Sequence, residues 1–369
     1  MRYNKDKIIA LLMAMALLFG IFTIFVSSND VPHTNAKAAA LYEPKSKTFL
    51  YTKNENARLS MASTTKIMTA LIALEILDVK EEISVDDRAI GTEGSSIYLE
   101  HGEILTAEAL IYATMLSSAN DAASALAYHI SGSIEAFSDL MNEKARKFDL
   151  VNTNFANPHG LDSKEHYTSA HDLAIITANA FENPKFVEIV STKKKTIDSS
   201  LKTRVLVNHN KLLQQYDGCI GVKTGYTKKS GRSLVSAAKR NGLLLISVTI
   251  NDPDDWKDHT LLLDYGYSRL ESRKLISQNE FKIKIPVING ETEFVEATNR
   301  ETLSVICEKK CPQFTREIFL NRYMVAPIKE GDILGKIVFK DKNKIVATTD
   351  IIALSDVKFR KKQSIFDFF

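Results

Sequence analysis

The sequence predicts an α+β protein in which helices cover one antiparallel sheet and a small all-β C-terminal domain follows. Three observations predict this fold class. A short strand hairpin near the N-terminus precedes several segments whose apolar residues recur at helical spacing. The hydrophobic pattern then changes to period two after about residue 204, and short alternating segments fill the chain from about residue 276. We call the part of the chain before about residue 276 the first region. The simplest packing joins strands from both of its ends into one sheet.

The N-terminal elements begin with a hairpin at residues 39–53, where two short apolar segments flank the polar turn 43–47. Residues 63–77 predict a helix, because Ile67, Leu71 and their neighbours recur at spacings of three and four. Further helices are predicted at residues 107–116, 121–130, 133–147 and 170–181.

The later elements of the first region are strands followed by one helix. The turn between the last two strands contains Asn241-Gly242, which is a strong hairpin signal. The strands are predicted at residues 219–225, 233–239 and 243–250, and the helix at about 256–270. The first predicted domain therefore covers residues 39–275.

A β-rich domain is predicted at residues 276–357, where turn signals such as Asn289-Gly290 separate segments of β-branched or alternating residues. These segments are 281–287, 293–297, 303–307, 315–320, 333–339 and 345–352. The tail 358–369 combines basic residues with aromatic ones, a composition that suits the surface of a membrane.

The N-terminus predicts export. A basic start precedes the uncharged, mostly apolar residues 8–26, and Ala36-Lys37-Ala38 offers small residues around a cleavage site. Residues 1–38 are therefore expected to act as a signal peptide, either cleaved before Ala39 or retained as an anchor. Both alternatives place the rest of the chain outside the cytoplasm, at the outer face of the membrane or secreted.

Composition narrows the function. The formal net charge of +3 gives no global electrostatic support for nucleic-acid binding. The sequence has three cysteines, Cys219, Cys307 and Cys311, so disulfides within one chain cannot pair all of them. If Cys307 and Cys311 both lie on one extended strand, their Cα atoms are too far apart for a disulfide. No second Cys or His pair has zinc-ligand spacing, so neither a metal nor a cofactor is expected.

The first candidate motif is Ser63-Thr64-Thr65-Lys66, at the start of a predicted helix. Residues three apart lie on one helix face, so Lys66 can reach the Ser63 hydroxyl. A serine needs a base to take its proton, and lysine can be that base when burial or a nearby cation lowers its pKa. Alone, the pattern is common, and a capping serine beside a solvated lysine is its ordinary interpretation.

The second motif is Ser118-Ala119-Asn120, between two predicted helices. Its ordinary interpretation is a helix N-cap. The functional interpretation is a hydroxyl that relays a proton beside an amide that both donates to and accepts from a substrate peptide group.

The third motif is Lys223-Thr224-Gly225, inside a predicted strand. Glycine in a strand often marks a close backbone approach. Lys223 and Thr224 at such a place could bind a carboxylate, and an edge strand there could pair with an extended peptide. The ordinary interpretation is a solvated lysine on a surface strand.

Each motif alone favours its ordinary interpretation, but the three motifs in this order favour the functional ones. The same order is typical of penicillin-binding proteins and class A β-lactamases. Residues 62–70, 118–122, 157–161 and 221–227 resemble the corresponding segments of the low-molecular-mass penicillin-binding proteins, a family of serine-type D-alanyl-D-alanine carboxypeptidases. The resemblance covers about residues 39–356. It implies a β-lactamase/transpeptidase-like fold and an exported hydrolase of cell wall biogenesis and cell shape. It also implies a peptidoglycan stem ending in D-Ala-D-Ala as substrate and β-lactams as covalent inhibitors.

The resemblance implies a role for each motif residue. Ser63 would be acylated, Lys66 would take its proton, and Ser118 would relay a proton to the leaving D-alanine. Asn120 would hold the substrate's peptide backbone. Binding of the terminal carboxylate is implied for Lys223, Thr224 and Gly225, and an oxyanion hole for the backbone N–H groups of Ser63 and Tyr226.

The histidines are given other roles. Some relatives carry an arginine near the carboxylate where this chain has His209, so the carboxylate contact stays partly open. His159 and His171 are interpreted as structural. A Ser-His-Asp triad is allowed by composition, but the sequence lacks a nucleophile elbow.

Two alternatives belong to other functional classes. A class A β-lactamase would need a glutamate-activated water, but no Glu-x-x-Leu-Asn-like segment lies between the second and third motifs, and Ala119 stands where that class has aspartate. A noncatalytic cell-wall binding protein would tolerate loss of Ser63 or Lys66, whereas all three motifs are intact. Transpeptidation, in which an amine replaces water, is left open.

Overall fold

The computed structural model describes residues 31–310 and 313–361. Most of the predicted signal peptide (residues 1–30), Cys311 and the end of the predicted tail (residues 362–369) lie outside the described residues. The described helices are α1 (Lys66–Ile76), α2 (Ala107–Leu116), α3 (Asn120–Ser131), α4 (Ile134–Lys147), α5 (Ala170–Ala180), α6 (Pro184–Ser191), α7 (Leu212–Gln215) and α8 (Asp255–Arg269). Among these residues, no helix is both long and apolar enough to span a bilayer.

The strands of the first region are β1 (Ala38–Glu43), β2 (Thr48–Lys53), β3 (Glu82–Ser84), β4 (Ile104–Thr106), β5 (Lys194–Asp198), β6 (Thr203–Val207), β7 (Cys219–Thr227), β8 (Gly231–Arg240) and β9 (Leu243–Ile250). They are followed by β10 (Leu270–Ile276), β11 (Lys282–Ile288), β12 (Phe294–Asn299), β13 (Leu303–Glu308), β14 (Thr315–Leu320), β15 (Met324–Val325), β16 (Ile333–Asp341) and β17 (Lys344–Ala353).

One antiparallel sheet organises the first region, with strand order β2-β1-β9-β8-β7. The N-terminal hairpin thus pairs with the later strands, which confirms the prediction of a sheet made from both ends. β7, which carries Lys223-Thr224-Gly225, lies at the edge of this sheet. Its outer side is open to pair with an extended chain.

Helices cover both faces of the sheet, and β1 shows how the sequence produces this. Its side chains alternate between faces. Ala38 and Ala40 belong to a large apolar core with helices α1 to α6, whereas Leu41 packs with Leu262 and Leu263 of α8 on the other face. Because both faces are covered, every residue of β1 is buried.

The helix boundaries follow the sequence signals closely. Thr106, Ser133 and Ser169 cap α2, α4 and α5 by accepting a hydrogen bond from a backbone N–H in the first turn. The predicted helix 63–77 differs at its start, where a 3-10 turn (Ala62–Thr65) carries Ser63 and α1 begins at Lys66. In α1, residues 66–73 are all buried, because this helix lies in the middle of the core.

The C-terminal region is all-β, as predicted. Its larger sheet has the order β14-β16-β17-β12-β11-β15, and β10 pairs with β13 in a two-stranded sheet. Separate apolar residues, among them Ile285, Ile337 and Ile351, form its core. β10 was not predicted and ends at Ile276, so it spans the predicted domain boundary, whose position stays a prediction. Cys307 lies in β13.

A buried ion pair fixes the loop between β3 and β4. Arg204 of β6 donates to both carboxylate oxygens of Glu103, whose side chain is fully buried. The same guanidinium donates to the carbonyls of Ile97 and Tyr98 at 2.8 and 3.0 Å. These bonds, and Arg204 itself, were not foreseen from sequence, because they join residues about a hundred positions apart.

Replacing Arg204 by methionine should lower the free energy of unfolding by about 3 kcal/mol, since Glu103 would remain buried without its counter-charge. Urea unfolding of both proteins measures the difference. Lys284→Met is the matched control, because it removes a lysine from a well-exposed pair with Glu296 and should change stability little. Equal losses in the two variants would contradict this account.

Candidate active site

The first motif brings a serine hydroxyl and a lysine amine together at the start of α1. Ser63 lies in the 3-10 turn and is partly exposed, whereas Lys66 is fully buried. The Lys66 Nζ lies 3.1 Å from the Ser63 Oγ. The predicted contact across three residues is therefore present, with the hydroxyl on the solvent side and the amine on the core side.

Two further oxygens contact the Lys66 amine and orient it. Nζ lies 2.6 Å from Asn120 Oδ1 and 2.5 Å from the carbonyl oxygen of His159. The amide of Asn120 cannot be reversed, because its Nδ2 donates to the carbonyl of Glu93. Carbonyl oxygens only accept hydrogen bonds. In a neutral Lys66, these two oxygens would accept hydrogen bonds from the two N–H groups of the amine. The lone pair of the nitrogen would then face the Ser63 hydroxyl.

The surroundings of Lys66 favour this neutral form. Burial lowers the pKa of Lys66 well below its usual value, the nearby cation of Lys223 lowers it further, and Asp121 opposes the shift. Burial also lowers the pKa of Lys223, to about 7. A base needs a free lone pair to take a proton, so the depressed pKa suits Lys66 to proton transfer.

The second motif lies between α2 and α3, as predicted. Ser118 is buried and has a left-handed backbone with φ of 58°. Asn120 begins α3, and its N–H donates to the carbonyl of Ser95 at 2.6 Å. The next residue, Asp121, accepts from the Ser96 hydroxyl and from two backbone N–H groups of the same loop. The segment after Glu93 is thereby fixed beside the amide that contacts Lys66.

The third motif packs its backbone directly against the serine. A Cβ added to Gly225 would lie 3.1 Å from the Ser63 backbone nitrogen. This is the close approach that a strand glycine predicts. Lys223 is buried with its amine 3.1 Å from the Thr224 carbonyl, and Tyr226 is 67% exposed. β7 thus borders the turn that carries Ser63.

The predicted histidines occupy different places. His209 lies between β6 and α7 and is close enough to Lys223 that this cation, after burial, lowers the pKa of His209. His159 has its pKa lowered to about 3 by burial and by Lys66, so its ring is neutral. His171 lies in α5, stacked on Phe49.

Sequence reasoning missed the role of the backbone at 157–161, which it used only for the resemblance. The Asn157 side chain bonds the Gly160 N–H and the Leu161 carbonyl, and Thr69 donates to the Pro158 carbonyl. These bonds aim the His159 carbonyl at Lys66. A Cβ on Gly160, whose φ is 94°, would lie 2.0 Å from the Ala62 carbonyl oxygen. An Asn-Pro-x-Gly turn was the available signal.

A second residue that the sequence analysis missed is His166, which contacts the turn of Ser63 through Thr65. The Ala156 N–H donates to its Nδ1, so the neutral ring carries its proton on Nε2 and donates to Thr65 Oγ1 at 2.7 Å. Thr65 in turn donates to the Ala62 carbonyl. Burial lowers the pKa of His166 to about 4, which keeps this direction of donation at neutral pH.

Two other kinds of site, a metal centre and a cysteine nucleophile, have little support. In the part of the chain that the structure describes, no three His, Cys, Asp or Glu side chains are grouped so that they could hold a metal ion. Burial raises the pKa of the Cys219 thiol, which makes it a poor nucleophile.

Comparison with known protein families gives two matches. The family model described as D-alanyl-D-alanine carboxypeptidase matches residues 25–254. The model described as the C-terminal domain of penicillin-binding protein 5 matches residues 270–359. Together they cover both the region of the site and the all-β region.

Individual relatives agree with these matches. D-alanyl-D-alanine carboxypeptidase DacF of Bacillus subtilis is 34% identical over 90% of this chain and 88% of that protein. DacA of Haemophilus influenzae is 30% identical over 88% and 86%. Among solved structures, penicillin binding protein 5 of Haemophilus influenzae has a TM-score of 0.64 at 28% identity, covering 89% of this chain and 99% of that one. A peptidoglycan synthesis regulatory factor of Streptococcus pneumoniae has a TM-score of 0.71 at 25% identity, covering 89% and 100%.

Gly160→Ala should slow acylation of Ser63 by a fluorescent penicillin at least about 10²-fold, because the new methyl group displaces the backbone of Ala62 and Ser63 from reactive geometry. The rate of covalent labelling measures this. Gly132→Ala is the matched control: its φ is 74°, yet nothing lies within 4 Å of the added Cβ. It should lose stability but label normally, and a folded Gly160→Ala protein that labels at the normal rate would refute the proposed packing.

Proposed function

Since the chain belongs to the D-alanyl-D-alanine carboxypeptidase family, we propose that it removes the terminal D-alanine from peptidoglycan pentapeptide stems through an acyl-enzyme on Ser63. One observation carries the proposal above all others. A buried amine with a depressed pKa lies 3.1 Å from a partly exposed serine hydroxyl. A serine nucleophile requires an adjacent base, and this amine can serve as that base.

The proposed reaction has two halves. In the first, Lys66 takes the proton of Ser63 as Oγ attacks the carbonyl carbon of the penultimate D-alanine. The oxyanion is stabilised by the backbone N–H groups of Ser63 and Tyr226, and the C–N bond then breaks as Ser118 passes a proton to the leaving D-alanine amine. In the second half, water gives a proton to Lys66 as it attacks the ester carbonyl, and the bond between that carbon and Ser63 Oγ breaks. Oγ takes the proton back from Lys66, and the shortened peptide leaves with a new carboxyl group.

Substrate binding is proposed along the open edge of β7. An extended peptide can pair with that edge, and the Asn120 side chain faces the same amine as Ser63, where it can also contact the peptide backbone. The terminal carboxylate is assigned to Lys223, Thr224 and Gly225, because a protonated Lys223 would be a buried cation without a carboxylate partner among the described residues. His209 lies beside this position and adds a neutral donor.

Inhibition by β-lactams follows from the same chemistry. A β-lactam carbonyl can acylate Ser63 in place of the peptide carbonyl, and its carboxylate can take the place of the terminal one. A class A β-lactamase is not favoured, since the chain lacks the segment that would activate a deacylating water.

We further propose that the enzyme acts outside the cytoplasm in cell wall biogenesis and cell shape. The proposed organisation is a signal segment (1–38), a catalytic domain (39–275), a β-rich domain (276–357) and a membrane-associating tail (358–369). At the end of the described chain, Phe359 is 57% exposed between basic residues. This composition supports contact with an anionic membrane surface.

The direct test is incubation with a pentapeptide ending in D-Ala-D-Ala and measurement of released D-alanine. The protein should release it, benzylpenicillin should stop the release, and mass spectrometry should find the drug adduct on the peptide that contains Ser63. Ser63→Ala should lose at least about 10³-fold in rate.

Ser268→Ala serves as the control, because Ser268 lies on α8 and is exposed. It should retain full activity. Release of D-alanine by the Ser63→Ala protein at the original rate, or a drug adduct on another peptide, would contradict the proposed nucleophile.

A further inference from the structure

A cavity of about 380 Å³ lies on the side of the first region where the chain enters the turn of Ser63. Its lining includes four cationic side chains and no acidic one. We call this cavity the basic groove and define it by Lys37, Arg58, Lys164 and Lys229, with Ser60 and Ser230 between them.

The cations of the basic groove are available to a ligand. Lys37, Lys164 and Lys229 are exposed, and none forms an ion pair with a carboxylate of the described residues. Arg58 is held in place by the Asn152 side chain and the Val151 carbonyl and lies over the Tyr167 ring. Its charge is not neutralised by these contacts. The groove therefore presents a positive field to solvent.

Two residues of the basic groove adjoin elements of the active site. Ser60 precedes Ser63 by three residues. On the other wall, the Ser230 hydroxyl accepts from the N–H of Thr227, the last residue of β7, at 3.0 Å. Thr227 follows Tyr226, whose N–H is assigned to the oxyanion hole. A peptide that leaves the active site along the end of β7 therefore enters this groove.

The direction of the substrate's peptide chain decides which of its residues lie in the basic groove. This step rests on the proposed function. The terminal carboxylate is assigned to Lys223 and Thr224, and the reacting carbonyl to the N–H of Tyr226. The peptide thus runs antiparallel to β7, with its earlier residues beyond Tyr226. At about 3.3 Å per extended residue, the residues before the D-Ala-D-Ala reach Thr227 and the turn that carries Lys229.

We propose that the basic groove binds a carboxylate carried by the stem residues that precede D-Ala-D-Ala. The groove is therefore a specificity subsite for acidic peptides. Asp162, whose carboxylate accepts from Ser60 at 2.5 Å, opposes these cations, and Arg58, Lys164 and Lys229 outweigh it even where cleavage before Ala39 removes Lys37. Because the lysines are exposed, their attraction for a carboxylate is modest for each pair and weakens with salt.

Two peptides differing only in charge test the proposal: acetyl-Glu-Glu-D-Ala-D-Ala and its Gln-Gln counterpart. The ratio of their kcat/KM values should be about five in favour of the Glu peptide at low ionic strength. It should approach one in about 0.5 M NaCl, because salt screens exposed charges.

A pair of double variants assigns the effect to the groove. Lys164→Gln/Lys229→Gln should lower the ratio to about two, because Arg58 and Lys37 keep part of the attraction. Lys257→Gln/Lys282→Gln removes the same charge from exposed lysines outside the groove, so the ratio should stay near that of the unaltered protein. Using a ratio of two substrates cancels any effect of the substitutions on the amount of folded enzyme.

The outcomes separate this inference from the function on which it rests. Equal kcat/KM values for the two peptides in the unaltered protein would overturn the subsite and leave the carboxypeptidase function standing. A preference that Lys164→Gln/Lys229→Gln leaves undiminished would also overturn it. Cleavage of neither peptide would contradict the proposed function, and the subsite with it.

Discussion

The site depends on a single buried amine held between two acceptor oxygens. The Lys66 amine donates to the His159 carbonyl oxygen and to Asn120 Oδ1, and its remaining direction faces Ser63. An isolated buried cation is costly, so this position favours the neutral amine. The oxygens come from two segments far apart in sequence. Placing one amine therefore requires α1, the start of α3 and the 157–161 turn to converge.

Backbone approach is the second constraint, and two glycines permit it. Gly160 packs against the Ala62 carbonyl, where an added Cβ would lie 2.0 Å away, and Gly225 packs against the Ser63 nitrogen, where an added Cβ would be tight at 3.1 Å. The turn of Ser63 is thereby clamped between a loop and the edge strand β7. This clamp brings the serine N–H next to β7, where the proposed oxyanion hole needs it, while the hydroxyl stays open to a peptide lying along that edge.

Much of this was predictable because local signals were strong. Capping residues such as Thr106 and Ser133 marked helix starts, and the change to period two marked the strands of the sheet. The contact of Lys66 with Ser63 followed from helical spacing. What escaped prediction depends on tertiary contact. The Asn-Pro-x-Gly signal indicates a turn but not that the His159 carbonyl contacts Lys66, and Arg204 was missed because its partner Glu103 lies about a hundred residues away. β10 escaped because its half-exposed residues have no clear alternation.

The most direct test of this account is the protonation state of Lys66 in the folded enzyme. Nuclear magnetic resonance of protein with isotope-labelled lysine side chains, with the Lys66 signal assigned by its loss in Lys66→Met, reports it as pH is varied. The account predicts that Lys66 loses its proton far below the exposed lysines and is neutral where the enzyme is active. A Lys66 signal that titrates with the surface lysines, near the usual pKa of about 10.4, would contradict it.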